Sequence, residues 1–230
     1  LPVPRNHIEH WSHLVSFLNE LKNQANTLQN QQQGVQHHLA ANVQATEAAC
    51  KTANQYLQDL CAQLNVIVPA AHGNYSLDGK SRWPDLKLNT FRCDARKKVL
   101  RDKEVFDYIG VGWNLVPAAG PVAHHSVTVN FPPDLERVQQ RLSVGQIQHD
   151  RKEQRHPDTN KLQAYVFEYT TQSFGSIVLT PEHDSALIAF RVVNVGGFGL
   201  LNTQYPAAQV NHALMDELAK LLVGQSSRFG

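Results

Sequence analysis

Cys93 lies between Arg92 and Arg96, a setting that lowers a thiol's pKa and favours the nucleophilic thiolate. Nucleophilic catalysis also needs an oriented base. His124 and His125 are candidates, but only the fold could bring them to Cys93. The same spacing suits an ordinary strand cysteine, so an enzyme reading rests on these residues alone.

A second feature is the run Arg92-Cys-Asp-Ala-Arg-Lys-Lys-Val-Leu-Arg-Asp-Lys-Glu104. If it forms an exposed hairpin, Arg92, Arg96, Lys97, Lys98, Arg101 and Lys103 could face the phosphates of a nucleic acid. The alternative is a solvated turn whose charges protect an edge strand. His7, His10 and His13 recur every three residues, yet no carboxylate or cysteine downstream completes a metal-ligand pattern. Gly110-Val-Gly112 and Val195-Gly-Gly-Phe-Gly199 have neither phosphate-loop nor dinucleotide-binding form. In a strand, the first pair marks a bulge or close packing. No catalytic motif and no cofactor-binding spacing is present, so no cofactor and no metal are expected.

The elements that must position these residues begin with a heptad. Trp11, Leu14, Leu18, Leu21, Ala25, Leu28, Gln32, Val35, Leu39, Asn42, Thr46, Ala49, Ala53, Tyr56 and Leu60 follow alternating steps of three and four. No proline falls between Pro4 and Pro69. Such a seam predicts a helical arm over residues 1–66, either one long helix of coiled-coil character or a hairpin turning near Gly34. The expected partner-binding seam is Trp11, Leu14, Leu18, Leu21, Leu28, Val35, Leu39, Tyr56 and Leu60. From Lys22 to Asn65 the charged residues are Lys22, Glu47, Lys51 and Asp59, so flanking ion pairs barely specify a partner.

Residues 67–85 are rich in turn formers and read as a linker, with Trp83 as its anchor onto the next domain. From 86 the period changes to two. Leu86–Cys93, Val105–Val116 and His125–Phe131 read as strands, followed by a helix behind Pro132-Pro133. Residues 146–160 read as an exposed loop. Leu162–Thr171, Phe174–Thr180 and Ala186–Val193 read as an antiparallel meander, with a further strand at Leu200–Gln204 and a closing helix over Pro206–Val223. The expected fold of 86–230 is therefore α+β, an antiparallel sheet with two helices on one face.

The net charge of +1 supplies no global attraction to nucleic acid or anionic lipid. No apolar run is long enough to span a membrane, and Leu1-Pro-Val-Pro-Arg5 lacks the apolar core of a signal peptide. Three cysteines, Cys50, Cys61 and Cys93, without CxxC spacing fit neither a disulfide framework nor a cysteine-rich zinc site. These features predict a cytoplasmic, non-enzymatic adaptor that oligomerises through its helical arm and presents a protein-binding surface on its α+β domain. A nucleic-acid-binding protein using the 92–103 hairpin is the alternative, and an enzyme centred on Cys93 the third.

Overall fold

The computed structural model describes residues 8–230, with side chains from Phe17 onward. It is a mixed α+β fold in which one continuous helix, α1 (Ile8–Ile67), precedes the sheets. Gly34 does not break it. At 1.5 Å per residue the helix runs about 90 Å, and the alternative of a helical hairpin is thereby settled in favour of a single rod.

The two halves of α1 live in different environments. Every side chain from Phe17 to His38 is exposed, whereas Thr46, Ala49, Cys50, Ala53, Leu57, Cys61 and Leu64 are buried. Most of the buried set is small, which lets the helix lie close against a sheet. The buried stripe also departs from the strict heptad. A straight helix repeats every 3.6 residues and so drifts from a 3.5-residue seam by about 20° per heptad. After Ala53 the core face therefore passes to Leu57, Cys61 and Leu64, leaving Tyr56 and Leu60 at its edge.

The sheet under α1 has five antiparallel strands in the order β1-β2-β6-β7-β8. These are β1 (Leu86–Leu100), β2 (Lys103–Pro117), β6 (Ser173–Glu182), β7 (Leu187–Val193) and β8 (Leu200–Pro206). A second sheet has the order β3-β5-β4, from β3 (His124–Val129), β4 (His149–Arg155) and β5 (Leu162–Thr170). Helix α2 (Pro132–Val144) follows β3, and α3 (His212–Leu222) follows β8 after a short 3-10 turn. Asn211 caps α3 by accepting the Leu214 N–H at 3.2 Å.

Three expectations are corrected here. There are two sheets rather than one. The strands at 162–170 and 173–182 do not pair with each other, because the two residues between them carry the chain from one sheet to the other. Residues 149–155 form a strand, not a loop. All seven of its side chains are exposed, so no alternation marks it; its backbone is held by pairing with β5 from His149↔Tyr169 to Arg155↔Leu162.

Segment 67–85 is packed rather than free. Tyr75, Leu77 and Trp83 are buried, and Ala70 bridges to Lys87. Trp83 stacks on Tyr169 at 5.7 Å and meets Phe198 edge-on at 4.9 Å, so this segment joins both sheets to one continuous core. The preceding turn is organised by Asp78, which accepts from the backbone of Lys80 and Ser81 at 2.8 and 2.7 Å and from the hydroxyls of Ser76 and Ser81. Burial raises its pKa, but these donors outweigh that and hold it below the ordinary aspartate value. A depressed folded pKa contributes stability above the unfolded value of about 3.9, and this is lost as pH falls through the lower folded value. The urea midpoint is therefore expected to drop on acidification below about pH 4, and to drop less in Asp78→Asn. Equal slopes for the two proteins would remove Asp78 from the acid response.

Candidate functional site

The surface to which the fold gives the least intramolecular purpose is the free half of α1. Leu18 (55% exposed), Leu21 (43%), Leu28 (59%) and Val35 (60%) lie along it at heptad spacing, and Phe17 adds a ring at 59%. Trp11 and Leu14 of the expected seam lie outside the described side chains, as do His7, His10 and His13. A contiguous exposed apolar stripe is unusual on a chain with no partner for it. A helix this exposed draws little stability from propensity alone, and Gly34 at its middle, with open space around it, costs about 1 kcal/mol relative to alanine.

The stripe runs into a cleft where α1 meets the body. Gln36, Leu39, Ala40 and Val43 form one wall and Leu100, Arg101 and Lys103 the other, around about 420 Å³ of mostly apolar space. The second wall is the tip of the β1–β2 hairpin. Its two-residue turn, Arg101-Asp102, has φ of 49° and 62°, the doubly positive pairing that matches strand twist in a tight hairpin. Arginine is strained there, and its guanidinium is held by Asp184 at 2.7 and 2.8 Å. The Asn42 amide donates to the Asp184 carbonyl at 2.6 Å, so helix, hairpin tip and β6–β7 turn meet at one residue.

One turn further along, Glu47 Oε1 accepts from the Phe106 N–H and from His183 Nε2, both at 2.9 Å. His183 is almost completely buried. These bonds lie where buried side chains begin along the helix, next to Thr46. The heptad placed Asn42 on the seam toward a partner helix, whereas it bonds to Asp184 of its own chain, and sequence reasoning singled out none of Glu47, His183 or Asp184 as a contact. Glu47 alone carried a hint, as an isolated acid in a nearly uncharged helix.

Beyond this point the expected seam turns to its own chain. The Tyr56 hydroxyl donates to Asp216 on α3 at 2.6 Å, and Leu60 packs against the core. Burial, then the Asp216 carboxylate, push the Tyr56 hydroxyl above its ordinary range.

The basic run forms the distal part of the hairpin, from β1 through the turn into β2. Most of its charge is matched. Lys97 pairs with Glu104 at 2.9 Å, Lys98 and Arg96 with Asp107 at 3.1 and 4.0 Å, and Arg101 with Asp184. Arg92 and Lys103 have no carboxylate within salt-bridge distance among the described residues. Arg92 lines a cleft of about 390 Å³ with Thr90, Asn114, Gln146 and Phe174.

His124 and His125 open β3, opposite Thr170 and Tyr169 in the smaller sheet. Cys93 lies opposite Val111 in the larger sheet, so the fold places it and the two histidines on different sheets. Gly110 and Gly112 sit on the outer sheet face with no atom closer than 3.8 Å to an added Cβ, and the irregularities of the ladder fall at Asn89/Arg92 and Arg96/Lys97 instead. The glycine-rich turn 195–199 is closed by Asn194, which donates to the Gly199 carbonyl and accepts its N–H, while Phe198 packs edge-on against Tyr75. That is a structural plug. No helix among the described residues is long and apolar enough to cross a membrane.

An α+β body bearing a projecting amphipathic helix is the class this geometry defines. No protein-family model, curated protein or solved structure matches the chain.

Proposed function

We propose that this chain is a self-associating interaction protein, in which the projecting half of α1 pairs with the same segment of a second copy. The observation that carries the reading is the exposed stripe Leu18, Leu21, Leu28 and Val35, continuing through Leu39 into the cleft beside the hairpin tip. Burying each leucine against a partner contributes about 1.5–3 kcal/mol, enough over several layers to offset the entropy of ordering two arms. From Phe17 to Thr46 the chain carries only Glu20 and Lys22 as formal charges. Like-charge repulsion therefore does not oppose pairing of identical arms, and no charge pattern selects a different partner. The α+β body is then carried on the assembly and is free to present a protein-binding surface.

The nucleic-acid reading draws less support, because four of its six cations are matched by carboxylates in the same chain.

Light scattering after size exclusion tests the proposal. The full chain is expected to have the mass of two or more copies, and Leu21→Glu/Leu28→Glu the mass of one. Those two side chains touch nothing in the body, so its thermal midpoint should stay unchanged. A monomeric wild type at every concentration up to the solubility limit would sink the idea.

A further inference from the structure

We propose that Cys61 and Cys93 form a reversible disulfide that staples the base of α1 to β1 in the presence of a disulfide oxidant of the glutathione type. Neither residue is needed for arm pairing, so the inference stands apart from the proposed function.

The geometry is set by the neighbouring Asn65. Its Oδ1 accepts the Phe91 N–H at 2.8 Å and its Nδ2 donates to the Phe91 carbonyl at 2.9 Å. An asparagine side chain is short, so these two bonds hold the residue-65 backbone within about 6 Å of that of Phe91. Helix and strand run in opposite directions here, since Glu47 bonds near the far end of the same ladder, at Phe106 opposite Lys97.

Four residues back along the helix, a distance of about 6 Å, lies Cys61. Two residues forward along the strand, a distance of about 6.7 Å, lies Cys93. Because the two displacements point the same way, they bring the cysteines together. Cys61 is buried on the inward face of α1, and Cys93 shares the inward face of β1 with the buried Phe91. A disulfide spans Cα atoms about 4.4–6.8 Å apart, the spacing that Asn65 enforces one turn away.

The thiols differ in a useful way. Interaction with Cys93, then burial, hold Cys61 far above the usual range, and the same interaction draws Cys93 below it. Cys93 is also only partly buried. Its thiolate attacks one sulfur of oxidised glutathione, forms a mixed disulfide and expels one glutathione thiolate. Cys61 gives its proton to solvent, attacks the Cys93 sulfur and expels the second glutathione. The protein loses two electrons and two protons, and one oxidised glutathione takes them up to become two reduced molecules. The high pKa of Cys61 makes the second step the slow one. Cys50 is an internal reference: it is completely buried, and burial with the nearby Glu47 pushes its thiol to about 12.

The test uses the full chain treated with oxidised glutathione, alkylated and mapped by peptide mass. The expected product is a Cys61–Cys93 cross-linked peptide pair, with Cys50 alkylated only after unfolding. The thermal midpoint should rise by about 5–10 °C and return on adding a dithiol reductant. In Cys61→Ser, Cys93 should stop at the glutathione adduct. A wild-type Cys93 that stays as that adduct, a Cys93–Cys93 link between chains, or two unreacted thiols would each overturn the proposal.

Discussion

Gly175→Ala is expected to lower the stability of this protein by about 3 kcal/mol, at the upper end for overpacking a core. An added Cβ at this position falls on the indole of Trp113, from the adjacent strand of the large sheet. Trp113 is buried and stacked on Phe91 at 5.8 Å, so admitting the methyl means pushing the indole out of this packed position. A companion variant separates this cause from a general effect of strand substitution. The indole Nε1 has no hydrogen-bond partner among the described residues, so Trp113→Leu sacrifices packing but no bond. With the ring gone, the alanine methyl enters vacated space. Urea denaturation of the four proteins in this cycle should show the double variant less destabilised than the sum of the singles, by about 1–2 kcal/mol. Strict additivity would mean that the Gly175–Trp113 contact is not what makes glycine necessary.

Much of this arrangement can be traced back to the chain. The helical character of α1 follows from a heptad with no proline in it, though the heptad left a turn near Gly34 open, and the hairpin of β1 and β2 follows from two apolar runs around a charged turn. What escaped had physical reasons. Strand β4 is exposed along its whole length, so its sequence carries no alternation to detect. The partition into two sheets hangs on Thr171 and Gln172, a link as short as a hairpin turn, and only long-range pairing decides which it is.

The candidate surface was legible in its solvated half, where an apolar stripe has no local competitor for its contacts. In its docked half the seam read correctly as apolar, but the face was off by one residue. Leu57, Cys61 and Leu64 replace Tyr56 and Leu60 because the helix stays straight against a sheet instead of supercoiling round another helix. The Cys61–Cys93 juxtaposition had no local signal, since it joins a helix to a strand across the 67–85 segment.

The boundary between the free and docked halves of α1 should depend on one carboxylate. Glu47→Ala is expected to cost about 2–4 kcal/mol, because it strips a partner from the Phe106 N–H and from the buried His183 at once. An ionised carboxylate only accepts, so His183 must present Nε2 as the donor. Deleting the acceptor strands a buried ring N–H that no rotamer of alanine can satisfy. Glu47→Gln keeps an amide oxygen at the same reach and should cost less than half as much. Hydrogen exchange localises the effect. In Glu47→Ala, amides from Thr46 to Leu57 should lose protection as these turns of α1 lift from β2, while β7 and α3 stay protected until global unfolding. If Gln and Ala variants were equally destabilised, the charge on Glu47 rather than its acceptor oxygen would be holding the helix down. If neither were destabilised, the small apolar face of Ala49, Ala53 and Leu57 would suffice to dock α1, and Glu47 would have no part in fixing where the free arm begins.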